Sequence, residues 1–183
     1  MRLYSLALLA ALLLFGCTAS QRDSVPKAST ASDCEAAIEV IATSNDRDEV
    51  FAAYRVVFDG GRTAVDAWQE HLDDLRTIDG TLCTRSLNGG TFTIAQQSLW
   101  AIQDMIEETR IPLTCKSYYV LSESNVNDWL GKRQGLRLVD LKIEAASRSL
   151  QLAETDFELT GSPDAGQAIQ FYRDILTSLR SQQ

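Results

Sequence analysis

The chain has 183 residues, 45% of them hydrophobic, with 17 Lys or Arg against 25 Asp or Glu, for a formal charge of −8. Such a charge repels phosphates, which argues against nucleic acid as a partner and against electrostatic binding to anionic lipid heads. The apolar content is that of an ordinary globular protein, so a sizeable core is available to be buried.

Arg2 places one positive charge ahead of a run from Leu3 to Phe15 in which Tyr4 and Ser5 are the only mild departures from apolar character. A membrane-spanning helix needs about 20 such residues, so this run is too short to span and has the length of a signal-peptide core. It ends in Leu14-Phe15-Gly16-Cys17. That ending resembles the lipobox of bacterial lipoproteins, with a Leu three residues before the Cys and a small residue directly before it. Phe15 departs from the pattern, which usually has a smaller residue there. The resemblance implies that residues 1–16 are a cleaved signal peptide. It also implies that Cys17 takes a diacylglyceryl thioether and is then acylated, palmitate-fashion, at its new N-terminus. Loss of Arg2 with the leader takes the formal charge from −8 to −9. Each buried methylene contributes about 0.8 kcal/mol, so two or three chains hold a protein on its membrane almost permanently. The implied address is the periplasm-facing surface of a membrane, and Thr18 after the Cys, rather than Asp, favours the outer membrane. Residues 18–32 are small and polar with one Pro and read as a flexible tether. At about 5–6 Å × √n, such a tether reaches roughly 20 Å.

Residues 33–183 then read as a single, mainly α domain. Ser32 with Glu35 has capping-box spacing and predicts a helix to about Thr43. Asn45-Asp46 caps a second, whose Val50, Phe51, Tyr54, Val57 and Phe58 recur at helical spacing before Gly60-Gly61 ends it. A third is expected from about Thr63 to Leu75, with Val65, Trp68, Leu72 and Leu75 on one face. Asp79-Gly80 and Asn88-Gly89-Gly90 bracket a loop holding Cys83, where turn dipeptides at both ends suit a small hairpin. Thr93 with Gln96 is a second capping-box pattern, opening a helix striped by Ile94, Leu99, Ile102, Met105 and Ile106. Pro112 bars further helix, and Ser117 to Leu121 is extended in character. Ser124 or Asn125 caps a short helix carrying Val126, Trp129 and Leu130, and Gly135 breaks it. Leu138, Leu141, Ala145, Ser149 and Leu152 mark the next helix; Ser162-Pro163-Asp164 starts the last, with Ile169, Tyr172, Ile175, Leu176 and Leu179. The expectation is about seven helices and little strand.

The segment from Tyr54 to Arg76 resembles a HEAT-type helical repeat: an apolar helix ends in Gly, an Ala-Val pair opens the next, and a Leu-Asp-Asp run closes it. Gly61, Ala64, Val65, Leu72, Asp73 and Asp74 are the matching positions, Trp68 is larger than usual, and no clean second copy follows. The resemblance implies a helical hairpin of the kind used in binding scaffolds.

Lipidation of Cys17 leaves Cys34, Cys83 and Cys115. Cys83 and Cys115 fall in predicted loops flanking one helix and are expected to form a disulfide, worth about 2–4 kcal/mol, with Cys34 as the odd thiol. No CxxC pair is present and His71 is the only histidine, so neither a metal nor a cofactor is expected. Asp66, Glu70 and Asp74 are spaced four apart and share a face on a continuous helix, with His71 and Asp73 beside them. Together with Trp129 they form the candidate interaction surface; the spacing would also suit a metal or general acid/base cluster, but a solvated helix face, with Val65, Trp68 and Leu72 as its buried side, accounts for the acids better. No nucleophile elbow or HExxH is present, so no catalytic residue is assigned. The reading is a lipid-anchored, non-enzymatic binding protein of the envelope, an adaptor or immunity-type protein. Its partner would be a periplasmic or envelope protein, with a basic surface suited to the charge. The alternative is a small envelope hydrolase working through paired carboxylates, which need no local motif.

Overall fold

The computed structural model describes residues 29–83, 90–107, 111–112 and 115–183. The expected signal peptide, Cys17 and most of the expected tether lie outside the described residues, as do Asn88 and Gly89. The first helix begins slightly earlier than the sequence suggests. Thr30, not Ser32, is the cap of α1 (Ala31–Thr43), and its partner in the capping box is Asp33. Asp33 accepts from the Thr30 N–H at 2.8 Å, and the Asp33 N–H donates back to Thr30 Oγ1 at 3.2 Å. Thr30-x-x-Asp33 carries the same spacing as the Ser32 pattern, and its use frees Glu35 for another partner.

Asp46 caps α2 (Arg47–Asp59) as expected, accepting from the N–H groups of Asp48 and Glu49. The chain reverses through Gly60 and Gly61 into α3 (Gly61–Glu70). Gly61 takes φ +60, a left-handed backbone open to glycine. Gly60 is needed for space: a Cβ there would lie 2.8 Å from Cys34 Sγ and 2.9 Å from the Ala64 Cβ. α3 stops at Glu70, short of the predicted Leu75, because His71 leaves helical geometry and a turn follows. Leu75 is consequently 78% exposed and takes no part in the core.

Two short strands, β1 (Thr77–Asp79) and β2 (Thr91–Thr93), pair antiparallel with Ile78 opposite Phe92. The hairpin strands therefore flank the bracketed loop and do not lie within it. Thr93 also caps α4 (Ile94–Ile106), and the Thr93–Gln96 capping box forms in both directions. α5 (Val126–Gly131), α6 (Leu138–Thr160) and α7 (Pro163–Arg180) complete seven α-helices among the described residues. Gly161 ends α6 at φ +63, and Pro163 opens α7 with no N–H to lose.

α1 packs on α2 and α3, α3 on α4, α4 on α6, and α6 along α7. The larger cluster draws on α1 through α5 and the start of α6, with Trp68, Ile38, Ile41, Ile94 and Ile102 fully buried. The smaller gathers Tyr118, Ala153, Ala165, Ala168 and Tyr172 where α6 meets α7. Truncating a side chain such as Trp68 to Ala is expected to cost about 3–5 kcal/mol.

Residues 116–120 run without regular secondary structure, and buried side chains satisfy the polar backbone around them. Ser149 Oγ donates to the Tyr118 carbonyl at 2.6 Å, and Gln103 Nε2 to the Leu121 carbonyl at 2.8 Å. The Tyr118 N–H donates to Tyr172 Oη at 3.3 Å, and Glu107 accepts from the N–H groups of Val120 and Leu121. Side chains of α4, α6 and α7 thus stand in for a neighbouring strand. Leaving those groups unpaired in the interior would cost about 1–3 kcal/mol each. The stitched segment also carries Tyr119 and Val120 to the edge of a cleft described below.

Candidate functional site

The predicted acidic face does not survive the early end of α3; it divides into two groups. Asp66 turns to Arg62 one helical turn back, with Nη2 at 2.6 Å and Nε at 2.9 Å from Asp66 Oδ1. Asp66 and Glu70 border a polar cleft with Arg62, Gln69, Asn127 and Gln134, and Gln69 reaches Asn127 at 3.4 Å. Asp74, which four-residue spacing would place on the same face, lies beyond the turn in the second group. Asp73 is exposed.

The second group joins α1 to the chain leaving α3. His71 Nε2 lies 3.0 Å from Glu35 Oε2, and His71 Nδ1 lies 3.2 Å from Asp74 Oδ2. Arg76 donates to Asp74 at 2.6 Å and, through both terminal nitrogens, to Glu39 at 2.7 and 2.8 Å. The Arg76 guanidinium holds the Asp74 carboxyl down at about 2 and Glu39 below the usual carboxylate range. Both ring nitrogens of His71 face carboxylate oxygens, so a protonated ring can donate to both and a neutral ring to one. Every acid here is engaged by His71 or Arg76, so the group works as a clasp between α1 and the α3–β1 turn. Among the described residues no group of His, Cys, Asp and Glu could hold a metal ion.

Trp129, the remaining residue of the predicted interaction surface, borders a separate cleft. The Arg133 guanidinium lies over its ring, 4.1 Å from the centroid, while Arg133 Nη1 donates to the Trp129 carbonyl at 2.8 Å and Nη2 pairs with Glu144. These groups border a cleft of about 410 Å³ that Tyr119, Arg148 and Leu152 complete.

The expected Cys83–Cys115 disulfide is absent: Cys34, Cys83 and Cys115 are free thiols. The reason is placement. Cys83 is buried in the larger cluster and Cys115 packs against the smaller. Burial pushes the Cys83 thiol up to about 11, with Asp79 adding to the effect. Burial likewise raises Cys34, reinforced by Asp33 and Glu35. Neither is a ready nucleophile, because thiolate is the reactive form.

One feature escaped the sequence reading. α1 and α2 pack closely but leave an open apolar groove between them. Ala37 and Ala53 form its nearly buried floor, and Ala36, Val40, Ala52 and Val56 its exposed walls. Asp33 and Glu49 stand on its rim, and Ser29, whose Oγ donates to the Val56 carbonyl at 3.0 Å, lies at its edge. The signal was present as Ala36-Ala37 and Ala52-Ala53 in two consecutive amphipathic helices. Alanine suits a helix whether it is buried or exposed, so periodicity alone does not reveal a groove.

Among the described residues no helix is long and apolar enough to cross a membrane. No family model, curated protein or solved structure matches the chain.

Proposed function

We propose that this protein is a lipid-anchored binding protein of the bacterial envelope, held through Cys17 and facing the periplasm, that captures an amphipathic, basic helix of a partner protein. The observation that carries the reading is the α1–α2 groove, an open apolar cleft of about 680 Å³ rimmed by acids. Its small side chains let another helix backbone approach closely, with apolar residues at i, i+3, i+4 and i+7 entering between α1 and α2. Asp33 and Glu49 on the rim, on a chain of net charge −8, suit Lys or Arg flanking that apolar stripe. Position adds support. Ser29 lies twelve residues after Cys17 and at the groove's edge. A tether of that length reaches about 20 Å, so the groove is kept close to the membrane surface. The HEAT-like reading of residues 54–76 points the same way, since α2 belongs to both the hairpin and the groove.

The test is photo-crosslinking from Val40 or Val56 in the full chain, expressed in its native host. Leu159, 81% exposed and far along α6, serves as the control position. The expected result is an adduct from the groove positions alone, mapping to an amphipathic helix with flanking Lys or Arg and lost when Ala36 and Ala52 are replaced by Glu. Equal labelling from Leu159, or adducts only with lipid or with this chain's own residues 1–28, would overturn the reading.

A further inference from the structure

A second surface carries a different chemistry. The cleft beside Trp129 is walled on one side by α6, where Glu144, Arg148 and Leu152 follow at four-residue spacing, and on the other by Tyr119, Trp129 and Arg133. Its volume of about 410 Å³ falls in the small-ligand range. Two features mark it out. First, it presents apolar area: Tyr119 is 44% exposed, and Trp129 and Leu152 are half-buried. Second, its charges do not cancel. Glu144 is taken by Arg133, which itself lies on the Trp129 ring. Arg148 is left with a neutral partner, Gln151 Oε1 at 3.0 Å, and meets no carboxylate among the described residues. Among the described residues of an acidic chain, one guanidinium thus stands uncompensated at the wall of an aromatic cleft.

We infer that this cleft binds a carboxylate borne on an apolar body, with Arg148 taking the carboxylate and Tyr119, Trp129 and Leu152 the body. A guanidinium fork matches a carboxylate in two parallel hydrogen bonds, and aromatic walls supply apolar contact at low entropy cost. The Arg133–Glu144 pair fixes Trp129 and keeps Arg133 from competing for the ligand. The same chemistry comes from a free amphiphilic acid or from the C-terminal carboxylate of a chain with an apolar last residue. This site shares no residue with the α1–α2 groove and stands or falls apart from it.

The experiment uses the ¹⁵N-labelled full chain in detergent and follows the indole N–H signal of Trp129. The probes are N-acetylphenylalanine, its amide, and a short neutral peptide ending in Phe with a free or an amidated C-terminus. Both acids are expected to shift the Trp129 signal and both amides to leave it. Binding of the peptide acid alone would retain the site and assign it to chain termini. Arg148→Gln removes the charged hydrogen-bonding partner and is expected to weaken the acids roughly 10- to 100-fold. Arg148→Lys, which keeps the charge and loses the fork, should fall between. Unchanged helical circular dichroism shows that the variants fold, since Arg148 is exposed. Equal binding of acid and amide, undiminished binding by Arg148→Gln, or no shift with any probe would overturn the inference.

Discussion

Replacing Glu107 tests how the strandless segment is held. Glu107 sits at the C-cap of α4, is 7% exposed, and accepts from the Val120 and Leu121 N–H groups, the latter at 3.2 Å. Glu107→Leu removes the acceptor and leaves both amides facing an apolar side chain. Each stranded donor costs about 1–3 kcal/mol, and relief from burying a carboxylate returns part of that, so the net loss should be about 2–4 kcal/mol. Glu107→Gln keeps a carbonyl oxygen in place and forfeits only the charge-assisted share, about 1 kcal/mol. Urea unfolding followed by tryptophan fluorescence reads both variants, and an unchanged m-value would show that the native surface is preserved. For a chain of this size, 1 kcal/mol moves Tm by about 2–4 °C, so Glu107→Leu should melt roughly 4–16 °C lower. A Glu107→Leu variant as stable as wild type, or a Glu107→Gln variant equally damaged, would refute the claim that this carboxylate substitutes for a strand.

Asp74→Asn is expected to lose about 2 kcal/mol at pH 7, because the folded carboxyl titrates at about 2 against an ordinary 3.8. The folded pKa is the lower one, so the contribution is present above about pH 4 and disappears as pH falls through 2. The gap between wild type and variant should close over that window in acid unfolding curves. Gly60→Ala forces a Cβ to within 2.8 Å of Cys34 Sγ and should destabilise by about 1–3 kcal/mol in thermal melts. By contrast, Gly161→Ala meets nothing within 4 Å and should cost only the left-handed strain, about 1 kcal/mol. Under native conditions at pH 8, iodoacetamide should label Cys115, which is half-buried, well before Cys34 and Cys83. A non-reducing peptide map that returned a Cys83–Cys115 bridge would contradict the placement of these thiols.

The helical class and most helix starts were legible because caps and apolar periodicity are local. The Thr93–Gln96 box, Asp46 and Pro163 all act where the sequence placed them. The α1 cap lies two residues before the predicted one because Thr30-x-x-Asp33 and Ser32-x-x-Glu35 overlap, and a tertiary partner, His71, claims Glu35. The early end of α3 has a related cause. Nothing between Glu70 and Leu75 breaks a helix by itself, and the turn is held by contacts of His71 and Asp74 to α1 and Arg76. That early end divides the predicted site, since one acidic face required one continuous helix. Cys83 and Cys115 stand apart in the structure because proximity in sequence to a common helix does not set which cluster a side chain enters. The α1–α2 groove and the surplus charge of Arg148 exist only once helices are packed, so no local pattern announces them.

The most direct test of the central claim is the mass of the N-terminal peptide of the mature protein, isolated from the membranes of its native host. The expected result is a chain that begins at Cys17 and carries diacylglyceryl and acyl groups, with Cys17→Ser releasing the protein from the membrane fraction. An unmodified Cys17 within a chain still bearing residues 1–16, or a Cys17→Ser protein that fractionates as wild type does, would contradict it.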